Sequence, residues 1–285
     1  MHLLITIVCA VGGAWLFVGG IASFLAPSAG PAPMGTSLLF GGSLLVVAFQ
    51  LWRSRSRTVG KAVPSRPASS AAPRGGDWLA KLPAIDGFRR AAQSLAALDA
   101  VLSPDWGDRY YSYDASWSEG EQLASMRDGS GDGWFARIAR GGIVVHGLAH
   151  ESADFVPGAP KPWVFGHLPP ELGATFLAEP AFDTANSTFC LWRSADAKQW
   201  SRGPVPATVD DDGAHEQLEL LWAGAVGYHA WAEEYYEVSL ELADVEAFFR
   251  HEPVTVERAR RMNPNVDFAA LKKELSAIGY PAAGA

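Results

Sequence analysis

His146 and His150 stand four residues apart, with Glu151 directly after them, and on a helix that spacing could bring two imidazoles to one zinc ion. The local string, however, is Gly-Gly-Ile-Val-Val-His-Gly-Leu-Ala-His, β-branched after a glycine turn, and predicts a strand. Four residues along a strand span about 13 Å, too far for one ion. The Glu inside a His-Glu-x-x-His motif is also missing. These residues are better placed for proton transfer. With Glu119, Glu121, Arg127 and Asp128 they are close enough in sequence to converge in a cleft, where imidazole and carboxylate act as acid and base.

A second candidate is the run Asp128-Gly-Ser130-Gly-Asp132-Gly133, which sets oxygen donors at the first, third and fifth positions of a calcium loop. Its twelfth position is Ala139, where a bidentate Glu is required. The run therefore reads as a glycine-rich turn. No Gly-Lys-Ser/Thr phosphate loop, Gly-x-Ser-x-Gly elbow or cofactor fingerprint is present, so the sequence implies no metal and no cofactor. Cys190, in Thr-Phe-Cys-Leu-Trp-Arg, reads as a core residue of a strand. Aromatic residues beside carboxylates suggest binding instead. Trp231, Tyr235 and Tyr236 are interleaved with Glu233, Glu234 and Glu237, and Trp117 precedes Glu119 and Glu121. Together with Arg127 and Asp132 these residues could form an interface with hot-spot character. The competing expectation puts Trp231 and Tyr235, one helical turn apart, against the core.

The elements that must carry these groups follow from periodicity and turn signals. Apolar residues from Phe88 to Leu102 recur at helical spacing behind Asp86, a potential N-cap, and predict a helix over 86–102. Residues 109–118, dense in Tyr and Trp, predict a strand. Ser118 with Glu121 matches a capping box, so 119–127 is expected as a short helix. Residues 134–139 and 143–149 flank Arg140-Gly141-Gly142 as a hairpin, and 188–194 with 199–205 form another pair. Pro169 opens a helix to Leu177, and five helices are expected after Gly213, over 216–223, 225–237, 244–250, 254–262 and 268–278. Strands followed by helices predict an α+β domain with an antiparallel sheet and a mostly helical C-terminal part.

Charge divides the chain. None of the 23 basic and 31 acidic residues precedes Arg53. Residues 3–25 and 34–52 are uncharged and mostly apolar, separated by a stretch with Pro27, Pro31 and Pro33. At 1.5 Å per residue, 23 residues extend roughly 35 Å, which predicts a transmembrane helical hairpin over 1–52. Arg53, Arg55, Arg57 and Lys61 follow directly and would hold both the N-terminus and the C-terminal domain in the cytoplasm, at a bacterial inner membrane. Residues 53–76, with six basic and no acidic side chains, read as a disordered basic linker. Residues 77–285 then carry 17 basic and 31 acidic side chains, a net −14. That acidity disfavours nucleic acid and favours a basic protein partner.

The strings at 117–132, 146–152, 188–193 (Thr-Phe-Cys-Leu-Trp-Arg) and 231–237 (Trp-Ala-Glu-Glu-Tyr-Tyr-Glu) resemble those of a family of uncharacterised bacterial proteins over roughly residues 105–281. The resemblance implies a cytoplasmic domain and transfers no catalytic residue. Two functional expectations result. The first is a membrane-anchored acidic domain that binds another protein, as an immunity protein neutralises a toxin. The second is a membrane-tethered enzyme using His146, His150, Glu151, Glu119 and Asp128.

Overall fold

The computed structural model describes residues 76–152, 155–159 and 161–283. The spans expected at 3–25 and 34–52, and the linker but for its last residue, lie outside them. Among the described residues no helix is long and apolar enough to cross a membrane. The longest, α1 (Ile85–Leu102), has 18 residues but carries Asp86, Arg89, Arg90 and Asp99. On that finding the expectation of a two-span inner-membrane protein is corrected.

The architecture is α+β. Six strands form one antiparallel meander, β1 (Tyr111–Ser118), β2 (Glu121–Arg127), β3 (Gly133–Ala139), β4 (Gly142–Leu148), β5 (Phe189–Ser194) and the two-residue β6 (Ser201–Arg202), each paired with its sequence neighbour. The helix expected over 119–127 is instead β2. Ser118 pairs with Glu121 across a two-residue turn in which Gly120 has φ +71°, a conformation glycine takes without strain. The residues of a capping box thus serve a hairpin, and Leu123, Ala124 and Met126 then alternate between faces as a strand requires.

That alternation gives the sheet two unlike faces. Tyr111, Tyr113, Ala124, Met126, Trp134, Ile143, Val145, Phe189 and Leu191 belong to the main core, under α1. From Ala92 to Val101 every residue of α1 is buried, because the sheet covers one side and the C-terminal helices the other. Those helices are α3 (Ala214–Leu218), α4 (Leu220–Tyr235, broken at Gly224), α5 (Leu242–Phe249), α6 (Val256–Met262) and α7 (Phe268–Ile278). The N-cap of α1 is Ala84, not Asp86, which lies in the first turn and pairs with Arg89 at 2.7 Å.

The opposite, outer face presents Leu123, Val144, Cys190 and Trp192. It is covered over part of its width by the connection between β4 and β5, which contains α2 (Pro170–Leu177) and brings Phe176, Ala181 and Phe182 onto the sheet. Cys190 is buried there, and burial pushes its thiol well above the ordinary range, as expected for a packing residue.

Candidate functional site

The expected acid–base cleft does not assemble. Glu119 sits exposed in the β1–β2 turn, whereas His146 pairs across β3 with Phe135, which in turn faces Ser125 on β2. Ser125 is four residues from the strand's start at Glu121, about 13 Å along it. Glu121 is engaged elsewhere, in a bidentate pair with Arg137 on the outer face. The two histidines also part company. His146 is buried in β4 and His150 lies beyond its end.

His150 closes instead onto the β2–β3 turn. Asp128 folds that turn by accepting from the backbone N–H groups of Ser130, Gly131 and Asp132 at 2.8, 3.1 and 3.0 Å. The turn holds Asp132 so that one carboxylate oxygen accepts from both the backbone N and Nδ1 of His150, each at 2.6 Å. Partial burial works against a charged imidazole, but the Asp132 bond and charge, with Glu151 and Asp128 nearby, raise His150 above its ordinary 6.5. Burial acts on the carboxylate too and raises Asp132, against the bonds from His150.

This pair stands at the rim of a cavity of about 480 Å³. Four chain segments supply its carboxylates: Asp128 and Asp132 from the turn, Glu151 after β4, Asp210 and Asp211 ahead of α3, and Glu216 and Glu234 from α3 and α4. Among the described residues no Lys or Arg lines it. Trp231 and Tyr235, one turn apart on α4, stack at 4.8 Å and 17°, and Tyr110 leans on both at 4.8 and 5.2 Å. All three rings are half-buried, so this aromatic cluster neither vanishes into the core nor stands free. Tyr235 is pushed up to about 12, by burial first and then by the charges of Asp99, Asp128 and Asp108. Tyr236 turns the other way, its hydroxyl buried and its pKa lifted by burial and by Asp99.

On the outer face the chemistry differs. His146 is 3% exposed, with Nδ1 2.7 Å from Ser187 Oγ. Its ring stacks on Phe135 at 5.8 Å and meets Phe176 edge-on at 4.9 Å. Burial pushes it down to about 3, so the imidazole is neutral at physiological pH and a weak general base. Its Nε2 has no hydrogen-bond partner among the described residues, and an orphaned buried group of this kind costs about 1–3 kcal/mol. His146 and Ser187 line a cavity of about 400 Å³. Beside it lies another of about 350 Å³, reached by Trp117, Phe135, Phe182 and Arg127. The Arg127 guanidinium stacks 3.6 Å over Trp106 and donates to the Trp106 carbonyl. Burial, and then Arg109, lower Arg127 to about 10.

Of the residues singled out by sequence, Asp128, Asp132, His150, Glu151, Trp231 and Tyr235 meet in the acidic cavity, Trp117, Arg127 and His146 line the outer-face cavities, and Glu119, Glu121 and Tyr236 line none of the three. Sequence reading missed Tyr110 and Glu216 of the acidic cavity and Ser187 beside His146. The Asp210-Asp211-Asp212 run was a visible signal of acidity, but nothing local says that it faces the β2–β3 turn. Among the described residues no group of three or more His, Cys, Asp or Glu is arranged to hold a metal ion.

No family model matches the chain, and neither a curated protein nor a solved structure does. The resemblance to a family of uncharacterised bacterial proteins is corrected accordingly. The expectation of a membrane-anchored protein-binding domain is corrected as well. Among the described residues no helix is long and apolar enough to cross a membrane. The membrane-tethered enzyme fails with the same helix finding and with the separation of Glu119 from His146.

Proposed function

We propose that the domain binds a small organic cation, an aliphatic polyamine, in the acidic cavity between the β2–β3 turn and α4. One observation carries this reading: seven carboxylates from four segments and a three-ring aromatic wall line a single cavity, with no Lys or Arg beside them among the described residues. A concave site lined by one sign of charge focuses its field and concentrates the opposite ion. Several spaced carboxylates suit several ammonium groups along one chain. The aromatic wall takes the methylene segments between them and adds a cation–π attraction of about 0.5–2 kcal/mol at each ring engaged. His150 competes for the same charge, because its imidazolium already neutralises Asp132.

Calorimetric titration of the full chain with spermidine tests the reading. Saturable binding is expected at low salt and should weaken steeply as sodium chloride is added. Trp231→Ala should lower affinity about tenfold, the equivalent of about 1.4 kcal/mol. Affinity should also rise as pH increases through the His150 pKa, above 6.5, since the departing proton leaves Asp132 uncompensated. His150→Gln should abolish that rise. Spermidine binding that is absent at low salt, or indifferent to Trp231→Ala, refutes the assignment.

A further inference from the structure

The orphaned nitrogen of His146 points to a second ligand of different chemistry, in a cavity that shares only its rim with the acidic one. Two tautomers are open to a neutral imidazole bonded to Ser187. If Nδ1–H donates to Ser187 Oγ, the serine hydroxyl hydrogen and Nε2 are both left over in a buried place. If Ser187 donates to Nδ1, a single group is left over, the Nε2–H, and it is a donor. The second arrangement leaves fewer buried polar groups unpaired and is the one the surroundings select. A donor with no acceptor then belongs to a residue lining a cavity of about 400 Å³, whose wall joins the rings of Phe135, Phe155 and Phe182 to the polar side chains of Asp132, His150 and Asp183. The adjoining cavity of about 350 Å³ shares Met126, Arg127, Phe135 and Phe182 with it, so there is room for a body larger than one ring.

We propose that the outer face of the sheet binds an uncharged aromatic carbonyl compound, its C=O accepting from His146 Nε2–H and its ring lying in the cavity against the packed pair of Phe135 and Phe182, whose own centroids are 5.1 Å apart. A cationic head offers no lone pair to the Nε2–H, and an anionic one meets Asp183, which lines the same cavity and whose charge acts on His146. A ligand without an acceptor would leave the donor unpaired and forfeit the selectivity. The two cavities share Met126, Ser130, Asp132 and His150, but this proposal is tested apart from the cation reading, because its probe is neutral and its anchor is His146.

The test uses acetophenone and isopropylbenzene, which have nearly the same shape and differ in the carbonyl oxygen. The full chain, with its histidines labelled with nitrogen-15, is titrated with each while the imidazole resonances are followed. Acetophenone should bind saturably, shift the His146 Nε2 signal and leave His215, His229 and His251 in place, whereas isopropylbenzene should bind at least tenfold more weakly. His146→Phe should lower acetophenone affinity about tenfold and change isopropylbenzene affinity less than twofold. If that variant does not fold, the Nε2 signal of the unaltered protein decides alone. Equal affinity for the two probes, an unmoved Nε2 signal at saturation, or no saturable acetophenone binding up to its solubility overturns the proposal.

Discussion

The two faces of the sheet bury polar groups in opposite ways. Beneath α1, Asp99 is wholly buried, yet its carboxylate accepts from the Tyr228 hydroxyl at 2.7 Å and from the backbone N–H groups of Tyr110 and Tyr111 at 3.0 and 2.6 Å. Gln93, Ser94 and Asn263 likewise reach backbone carbonyls on neighbouring elements at 2.8–3.0 Å. On the outer face His146 Nε2 and Ser112 Oγ are buried without a partner, and cavities open beside them. The inner face is where the chain invests in holding its layers together. The outer face keeps unsatisfied capacity, and a fold tolerates that cost where something else can meet it.

The largest effect should come from the best-satisfied group. Asp99→Ala removes the acceptor from three donors at once, and at about 1 kcal/mol or more for each it should cost about 3 kcal/mol in urea unfolding. A pH series sharpens the point. Burial raises the Asp99 pKa from 3.8 to about 6, against its hydrogen bonds. A carboxyl raised in the folded state contributes stability that is fully present below 3.8 and is lost as pH climbs through about 6. Two pKa units correspond to about 3 kcal/mol. Asp99→Asn removes the titration, so wild type should lose about that much relative to the variant between pH 4 and pH 7. A difference that stays flat over this window would mean that the inner face solvates its charge as well as water does.

Next in size is a steric test of how full the inner face is. A Cβ on Gly147 would lie 2.3 Å from the Phe189 ring and 2.8 Å from the Gly133 carbonyl oxygen, both closer than real contacts allow. Gly147→Ala should therefore destabilise by about 2 kcal/mol, the usual cost of overpacking, read as a lower urea midpoint at unchanged slope. A neutral result would show that the inner face can yield, and the contrast between the faces would weaken.

Local chemistry made part of this legible in the sequence. The β3–β4 hairpin could be read because Arg140 and Gly141 form a turn between two apolar runs, and the helix over 86–102 because its spacing is helical on every side. The β1–β2 turn was misread because Ser118 and Glu121 satisfy a capping box and a hairpin equally well, and only the pairing with β3 decides between them. The site was harder. Tyr110 and Trp231, or Asp99 and Tyr228, meet across more than a hundred residues, and no local period records such contacts. His146 was visible as a histidine on a strand. That Phe176 and Phe182 would enclose it depends on how the β4–β5 connection folds back. The acidity of the domain, by contrast, is additive along the chain and needs no fold to be counted.

The smallest predicted effect is also the most direct comparison, because the same side chain occurs on both faces. Ser94, fully buried on α1, has its hydroxyl 2.9 Å from the carbonyls of both Arg90 and Phe248. Ser112 on β1 buries its hydroxyl with no partner and lines the outer cavity of about 350 Å³. Replacing each with Ala removes one oxygen from a buried place, yet the signs should differ. At Ser94 a hydrogen bond is lost and a carbonyl loses its donor, for a cost of about 1 kcal/mol. At Ser112 an unmet desolvation penalty is removed, so stability should rise by up to about 1 kcal/mol. Paired urea titrations of the two variants measure the difference directly. If both substitutions destabilise equally, Ser112 has a partner in solution, and the outer face is no less satisfied than the inner one.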